Sequence, residues 1–279
     1  MDAPQRSNVR PVKPIGQQWT LINAFGQRDL KSKFNGTALG WLWSLVVPMA
    51  TLGIYTLVFG GLFKMTPPEI ASRHAGIGIF AVWMFAGLTI WSFFQNSINS
   101  GIAGLLGTGG LLQKVYFPAY APVLGASLAV GVQSLIEVGI LLAVLLFLGN
   151  VSWTWLLVPV VLAILVVFVG SLAVIVSIWN VFIRDLAHLV GVFLQLMFYA
   201  TPIIYNPSII PTDFYGIPLH NLVMAMPMAQ FVTLFRAITY DLTAGSPSLW
   251  IGCLTWAAIA LVTAVLVNRR WGGDLGERI

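Results

Sequence analysis

The sequence predicts an all-α membrane protein with six transmembrane helices and both termini in the cytoplasm. Two observations carry this prediction: 58% of the 279 residues are hydrophobic and only 8% are charged, and the apolar residues gather into long stretches. A helix needs roughly 20 apolar residues to cross a hydrocarbon core about 30 Å thick, whereas soluble domains carry about 25% charged residues. The stretches that reach this length lie near 38–63, 75–98, 123–148, 154–180, 186–205 and 248–268.

The distribution of basic residues predicts the orientation. The chain has 14 Lys and Arg residues against 9 Asp and Glu residues, a balance that on its own would also suit nucleic-acid binding. With six spans and cytoplasmic ends, however, only Lys64, Arg73 and Arg236 of the basic residues fall outside. This asymmetry follows the positive-inside rule. The membrane therefore explains the basic charge, and no nucleic-acid partner is expected.

The first part of the chain divides into a tail and a helix. Residues 1–16 combine prolines with polar and basic neighbours, a composition that cannot bury enough apolar surface to fold, and we expect them to form a flexible cytoplasmic tail. The first 35 residues show no signal-peptide pattern. From Ile15 onward, apolar residues recur at helical spacing while polar and basic residues occupy the other faces. We assign residues 17–35 to this helix. This pattern predicts an amphipathic helix on the cytoplasmic membrane surface. Residues 36–271 then form the membrane domain, and residues 272–279 form a cytoplasmic tail.

Tryptophans and glycines suggest where the spans end. The tryptophans lie near the ends of the apolar stretches, as interfacial residues do, and Trp91 is expected to close the second span. The glycine-rich stretch after that span leads to Lys114, and we expect it to form a long cytoplasmic loop that docks a partner. Loops longer than about 12 residues are uncommon unless they are functional.

The stretch 206–247 predicts short helices at the outer face, before the last span. Leu219–Tyr240 is apolar enough to suggest a seventh span, but it contains His220, Pro227 and Arg236 and lies among further prolines. An odd number of spans would also move the final arginines to the outer side. We therefore predict two short re-entrant helices, because non-spanning backbone at membrane depth is tolerated where protein or a water-filled cavity covers it.

The sequence offers no candidate catalytic residues. It lacks the Gly-x-x-x-x-Gly-Lys-[Ser/Thr] run that wraps nucleotide phosphates, its three histidines are scattered over separate loops, and its single cysteine, Cys253, lies inside the last span. These positions suggest neither a metal-ligand pair nor a Ser/His/Asp set. We therefore expect no enzyme activity and no cofactor in this chain.

Glu137 lies in the middle of the third predicted span, where a charge costs at least about 2.5 kcal/mol. One interpretation is that it faces a water-filled path and contacts a translocated headgroup or sugar. The alternative is an internal hydrogen bond, for example with Gln133 one turn earlier, or a protonated acid. Both interpretations stay open at this point.

Four ordered motifs run along the chain. They are Arg28–Phe34 with Gly36–Ser44, Pro48 and Tyr55–Gly60, then Lys114–Pro118, Arg184–His188 and Phe198–Tyr205. Together they resemble the motifs of the ABC-2 polysaccharide-exporter permeases, the membrane subunits that export O-antigen, teichoic acid, capsule or galactan chains. The resemblance covers roughly Trp19 to Trp271. Asn35 departs from the family, many of whose members carry a basic residue there.

The resemblance implies a multi-pass protein of the bacterial cytoplasmic membrane that pairs as a homodimer around a central path. It also implies two separate ATPase subunits that bind ATP and Mg²⁺, which accounts for the missing phosphate loop. The implied substrate is a lipid-linked polysaccharide that enters near the amphipathic helix and threads between the two copies.

Two sets of candidate site residues follow. Aromatic rings offer stacking surfaces to sugars, and with Glu137 the rings predicted to line the substrate path are Phe198, Tyr199, Tyr205, Phe214 and Tyr215. The charged residues predicted to bind the ATPase subunits are Arg28, Asp29, Lys31, Lys114, Arg184 and Asp185. Core or interfacial packing also explains each ring, and solvation or lipid headgroups explain the charges.

Three other functions fit the sequence in part. An ABC-2 exporter of small hydrophobic compounds shares the six spans and the separate ATPase. An ion-coupled secondary transporter would use Glu137, although the sequence shows no internal repeat of the kind common in that class. A non-transport membrane scaffold leaves the ordered motifs unexplained.

Overall fold

The computed structural model describes residues 15–34, 40–64, 80–112, 117–183, 185–273 and 275. Within these ranges the regular structure is helical, and the one extended pairing is a bridge between Phe214 and Ile217. The predicted all-α class is therefore confirmed. The candidate residues Lys114 and Arg184, and residues 1–14 of the predicted tail, lie outside the described ranges.

The described helices follow one another along the chain. The second of them continues directly into a π-helix, Thr56–Leu62. The α-helices are α1 (Ile15–Phe34), α2 (Trp43–Tyr55), α3 (Phe80–Leu106), α4 (Gly109–Leu112), α5 (Tyr120–Phe147), α6 (Val158–Phe182), α7 (Leu186–Ala200), α8 (Leu219–Ala225), α9 (Pro227–Thr239) and α10 (Pro247–Trp271).

Four helical segments are long and apolar enough to cross a membrane, and they coincide with the first, third, fourth and sixth predicted spans. The second predicted span corresponds to α3, which has 27 residues but is more polar in its second half. The fifth corresponds to α7, whose 15 residues extend only about 22 Å at 1.5 Å per residue. The six-span count therefore stays a prediction. The four segments are Trp43–Leu62, Tyr120–Phe147, Trp153–Phe182 and Pro247–Trp271.

α3 corrects two expectations about the second span. The helix does not end near residue 98; it continues to Leu106, and α4 follows after a short turn in place of a glycine-rich loop. Trp91 lies inside the helix and is buried, and its indole N–H donates to Gln95 Oε1 at 3.0 Å. Because a buried tryptophan needs such a partner, Trp91 is a core residue and not an interfacial anchor.

The core forms where α3, α6 and α9 meet. Phe168 of α6 is almost fully buried, and its ring stacks on Phe94 of α3 with the centroids 6.3 Å apart. On its other side it meets Phe231 of α9 at 5.3 Å. Since the three rings come from three helices, Phe168 links the elements that enclose the bundle centre.

α1 packs against the first half of α5. Ile22 and Phe25 are buried in this contact, and a Cβ added at Gly125 would lie 2.6 Å from the Phe25 Cβ. The Tyr120 hydroxyl donates to Gln18 Oε1 at 2.8 Å. The helix predicted from Ile15 onward is therefore present with one buried and one exposed face, and its position on the membrane surface stays a prediction.

α8 and α9 meet at an angle of 79°. The backbone at Met226 is extended, with φ −62° and ψ 139°, and Pro227 opens the next helix. α9 is buried along almost its whole length. Two short helices therefore occupy the region where a straight seventh span was rejected, and protein covers the second one. Their re-entrant position in the membrane stays a prediction.

Side chains from the α5–α6 connection hold the C-terminal end of α9. Asn150 Nδ2 donates to the carbonyl oxygens of Tyr240 at 2.9 Å and Thr239 at 3.3 Å. Thr154 Oγ1 donates to the Ile238 carbonyl oxygen at 2.8 Å. The last carbonyls of a helix have no partner within it, so these bonds satisfy buried groups and fix α9 in the fold.

Candidate functional site

α7 is an apolar helix with little cover, since Leu194 is its one buried side chain. Its exposed side divides into two stripes, because residues three and four apart share a face. One stripe is apolar and consists of Leu189, Phe193 and Leu196. The other is largely polar and consists of His188, Val192, Gln195 and Tyr199.

The polar stripe of α7 carries hydrogen-bonding groups that hydrocarbon would leave without partners. Burying an amide or hydroxyl in an apolar medium without a partner costs about 2–7 kcal/mol. Tyr199, with 59% of its surface exposed, and the exposed Gln195 and His188 therefore favour a water-filled space or a polar ligand on this side of the helix. The apolar stripe beside them suits lipid or another protein surface.

Phe198 and Tyr199, two of the predicted path residues, point in different directions. Phe198 meets the buried Trp91 of α3 edge-on, with the centroids 5.7 Å apart, and touches the Tyr199 ring at 5.3 Å. Phe198 thus attaches α7 to α3, and Tyr199 presents its ring outward. Their predicted contact with substrate stays a prediction.

Tyr205 closes the C-terminal end of α7. Its hydroxyl donates to the carbonyl oxygens of Ala200 at 3.0 Å and Tyr199 at 3.2 Å, which are among the carbonyls that a helix end leaves without partners. Burial raises the pKa of the Tyr205 phenol. The hydroxyl is therefore engaged in the fold, while the ring remains next to Tyr199.

Phe214 and Tyr215 stand on a tight turn between α7 and α8. Phe214 and Ile217 exchange backbone hydrogen bonds of 2.9 and 3.1 Å, and Tyr215 and Gly216 between them have φ of 54° and 81°. Positive φ at both central residues is the type I′ geometry, and the Asp213 carboxylate supports it by accepting from the Gly216 N–H at 2.7 Å. The turn leaves the Tyr215 ring 93% exposed.

Glu137 lies at the middle of α5 and is partly buried. One turn earlier, Gln133 Nε2 donates to the Ser44 carbonyl oxygen at 3.1 Å, so the polar residues of this region tie α5 to α2. The predicted roles of Glu137 remain open.

Comparison with known proteins decides the family. The chain matches the model of the family described as ABC-2 type transporter over residues 20–240. The chain belongs to this family. It is 30% identical over 270 residues to an O-antigen export system permease protein, RfbA, of Myxococcus xanthus. This alignment covers 94% of the chain and 97% of that protein.

Two further relatives of this ABC-2 transporter chain agree with that match. An O-antigen export system permease protein, RfbA, of Klebsiella pneumoniae is 26% identical over 227 residues, covering 80% of this chain and 82% of the relative. The polysialic acid transport protein KpsM of Escherichia coli is 26% identical over 136 residues, covering 49% and 47%. The resemblance stated from the sequence motifs is therefore confirmed.

Two predicted docking residues of α1 in this ABC-2 chain, Arg28 and Lys31, are exposed, and Asp29 is partly buried. Arg28 and Asp29 form an ion pair of 2.9 Å with each other, and the Arg28 guanidinium lies 5.2 Å from the centre of the Phe25 ring. Lys31 is exposed one turn further on. Because an exposed ion pair contributes about 0–1 kcal/mol, these groups are accessible to a partner at little energetic cost.

Asp185 is exposed at the start of α7, and its side chain does not cap the helix. The cap comes from the buried Asn180 of α6, whose Oδ1 accepts from the Ala187 N–H at 2.7 Å. Asn180 therefore satisfies this backbone group, and the Asp185 carboxylate remains exposed at the surface.

Arg236 is a residue that the sequence analysis did not single out for the site. Its place on the outer side of the membrane stays a prediction, but in this ABC-2 chain its side chain lies inside the fold, on α9, with 4% of its surface exposed. An ionisable residue in an apolar helix of a membrane protein marks a functional or structural centre. The position of Arg236 within an apolar stretch is the signal by which the sequence could have indicated its importance.

Proposed function

We propose that this chain is the permease subunit of an ATP-driven ABC exporter that carries a lipid-linked polysaccharide across the bacterial cytoplasmic membrane. The polysaccharide is of the O-antigen, teichoic acid or galactan type. The observation that carries the proposal is the 30% identity to an O-antigen export permease over 94% of this chain and 97% of the relative. The alignment extends over nearly all of both chains, so it includes α1, α7 and the α8–α9 pair.

The proposed topology has six spans, formed by α2, α3, α5, α6, α7 and α10, with cytoplasmic termini and α1 on the inner membrane surface. α8 and α9 form the re-entrant pair at the outer face. The exposed Arg269 and Arg270 at the end of α10 support this orientation, because basic residues favour the cytoplasmic side.

The proposed substrate path runs between two copies of the chain. α2 and α7 both pack against α3 and expose most of their side chains, so they are the helices that a second copy can reach. The polar stripe of α7 would line the path, with Tyr199 stacking on sugar rings and Gln195 and His188 bonding to hydroxyls. Phe198, Tyr205, Phe214, Tyr215 and Glu137 remain candidates for the same path.

ATP hydrolysis belongs, in this proposal, to two separate subunits that hold ATP and Mg²⁺. The missing phosphate-binding run in this sequence supports that division. Their docking surface would include the exposed Arg28, Lys31 and Asp185 and the partly buried Asp29. It would also include Lys114 and Arg184, which lie outside the described residues.

A deletion strain tests the proposed function. Removing this chain should abolish the surface polysaccharide and leave lipid-linked polymer in the inner leaflet, and removing the ATPase subunit should give the same result. Export that persists without the ATPase but stops with an ionophore would favour the ion-coupled transporter. A full surface polysaccharide in the deletion strain, with increased drug sensitivity, would favour the exporter of small hydrophobic compounds.

A further inference from the structure

Arg236 carries a buried guanidinium whose contacts are backbone carbonyls. Among the described residues, no carboxylate oxygen lies within 4.0 Å of the Arg236 guanidinium, and the one ion pair within that distance joins Arg28 to Asp29. Asp241, in the loop after α9, is the carboxylate that acts on Arg236 electrostatically. A buried charge must be compensated by good geometry and further hydrogen bonds. The carbonyl oxygens that accept from the guanidinium therefore show which segments Arg236 joins.

The guanidinium joins three segments. Its Nε donates to the Trp83 carbonyl oxygen at 3.0 Å, in the first turns of α3. Its Nη1 donates to Pro202 at 2.7 Å and its Nη2 to Ile203 at 2.6 Å, both in the turn that follows α7. The Trp83 ring also lies under the guanidinium, with Cζ 3.5 Å from the centroid, a cation–π contact.

Gly87, one turn after Trp83, makes room for this arrangement. A Cβ at position 87 would collide with Nη2 of Arg236 and would lie 2.9 Å from its Cζ. The guanidinium therefore lies directly on the backbone of α3. A methyl group at this position would displace it without altering any of the groups that bond to it.

α9 is held firmly in the fold by its neighbours, whereas α7 has few buried contacts to hold it. Asn150 and Thr154 already fix the C-terminal end of α9, whereas α7 buries only Leu194. The bonds from Arg236 reach the two residues directly after the C-cap Thr201, and Tyr205 bonds to the last carbonyls of the helix. The position of the C-terminal end of α7 therefore depends on Arg236 and Tyr205.

We propose that Arg236 is a positioning residue for transport. It clamps the C-terminal end of α7 to α3 and α9, and so holds the exposed Tyr199 in place at the path. This inference rests on the proposed function, because α7 must line the path. Without the clamp, α7 would remain in the membrane but its last turn would move independently, and ATP hydrolysis would lose its coupling to polysaccharide movement.

Two variants and a control test the clamp. Arg236→Lys keeps the charge, but one ammonium cannot replace a planar fork that reaches three carbonyls and stacks on a ring. Gly87→Ala displaces the guanidinium and leaves Arg236 intact. Gly139→Ala on α5 is the matched control, because a Cβ there meets nothing within 4 Å.

Both variants should export polysaccharide at least roughly tenfold more slowly per ATP hydrolysed, a factor that corresponds to about 1.4 kcal/mol. Amide hydrogen exchange over residues 198–205 should rise, while exchange over residues 238–241 should stay within about twofold of wild type, because other side chains hold that end. If Arg236→Lys fails to accumulate in the membrane, Gly87→Ala decides the question.

The proposal is overturned if Gly87→Ala exports with wild-type coupling, or if export and ATP hydrolysis fall together in proportion to the amount of folded protein. An effect of Gly139→Ala equal to that of Gly87→Ala would overturn it as well. If the wild-type chain itself does not restore surface polysaccharide, the proposed function fails, whereas the hydrogen-exchange result still tests the clamp.

Discussion

Replacing Phe168 with alanine is expected to lower the free energy of unfolding by about 3–5 kcal/mol, the range for deleting a large aromatic ring from a packed core. Phe168 is almost fully buried and contacts Phe94 of α3 and Phe231 of α9. Its removal leaves a cavity between three helices that cannot close without moving α9. Unfolding by titration with a denaturing detergent measures the change.

Phe147→Ala provides the matched control for this core variant. Its side chain is 91% exposed at the end of α5, so the same chemical change there should alter stability by less than about 0.5 kcal/mol. Equal losses in the two variants would show that Phe168 does not hold α3, α6 and α9 together.

Replacing Gly125 with leucine is expected to detach α1 from α5. A Cβ at this position would lie 2.6 Å from the Phe25 Cβ, 2.8 Å from the Ile22 carbonyl oxygen and 2.9 Å from the Gly26 nitrogen. Two of these three are backbone atoms that no rotamer change can move. Overpacking a tight contact costs about 1–3 kcal/mol, and here the helix can escape the cost by separating.

Limited trypsin digestion measures that separation, because Arg28 and Lys31 offer cleavage sites on α1. Cleavage in Gly125→Leu should be faster by roughly tenfold, which corresponds to about 1.4 kcal/mol of lost contact. Gly139→Leu on the same helix has open space at its Cβ and should digest like the wild type. Equal digestion of all three proteins would mean that the Gly125 contact does not hold α1.

The helices that the sequence predicted well are those whose local pattern alone determines them. α1 follows from amphipathic spacing, and α5, α6 and α10 follow from long apolar stretches, since neither signal needs knowledge of neighbours. α3 was predicted too short because polar residues interrupt its apolar stretch: Gln95 bonds to Trp91 and Ser97 is buried, whereas Asn96 and Asn99 are exposed. A prediction from hydropathy treats every polar residue as if it faced lipid, and it therefore places the end of the span before the end of the helix.

Only those residues of the candidate site could be predicted whose residue type alone suggests a function. The rings near the end of α7 stood out as an aromatic cluster, and Tyr199 does present an exposed face. The contacts of Arg236 and Asn180 could not be predicted in this way, because their partners are backbone groups. The bond from Arg236 to Trp83 spans 153 positions, and the bond between Asn180 and Ala187 spans seven. Residue type does not indicate which backbone group a side chain will contact.

The most direct test of the central claim uses sealed vesicles that contain this chain with or without the ATPase subunit. The account predicts that lipid-linked polysaccharide crosses the bilayer only when both polypeptides and ATP are present, and that this chain alone hydrolyses no ATP. Polysaccharide transfer, or ATP hydrolysis, by the purified chain without the second subunit would contradict it.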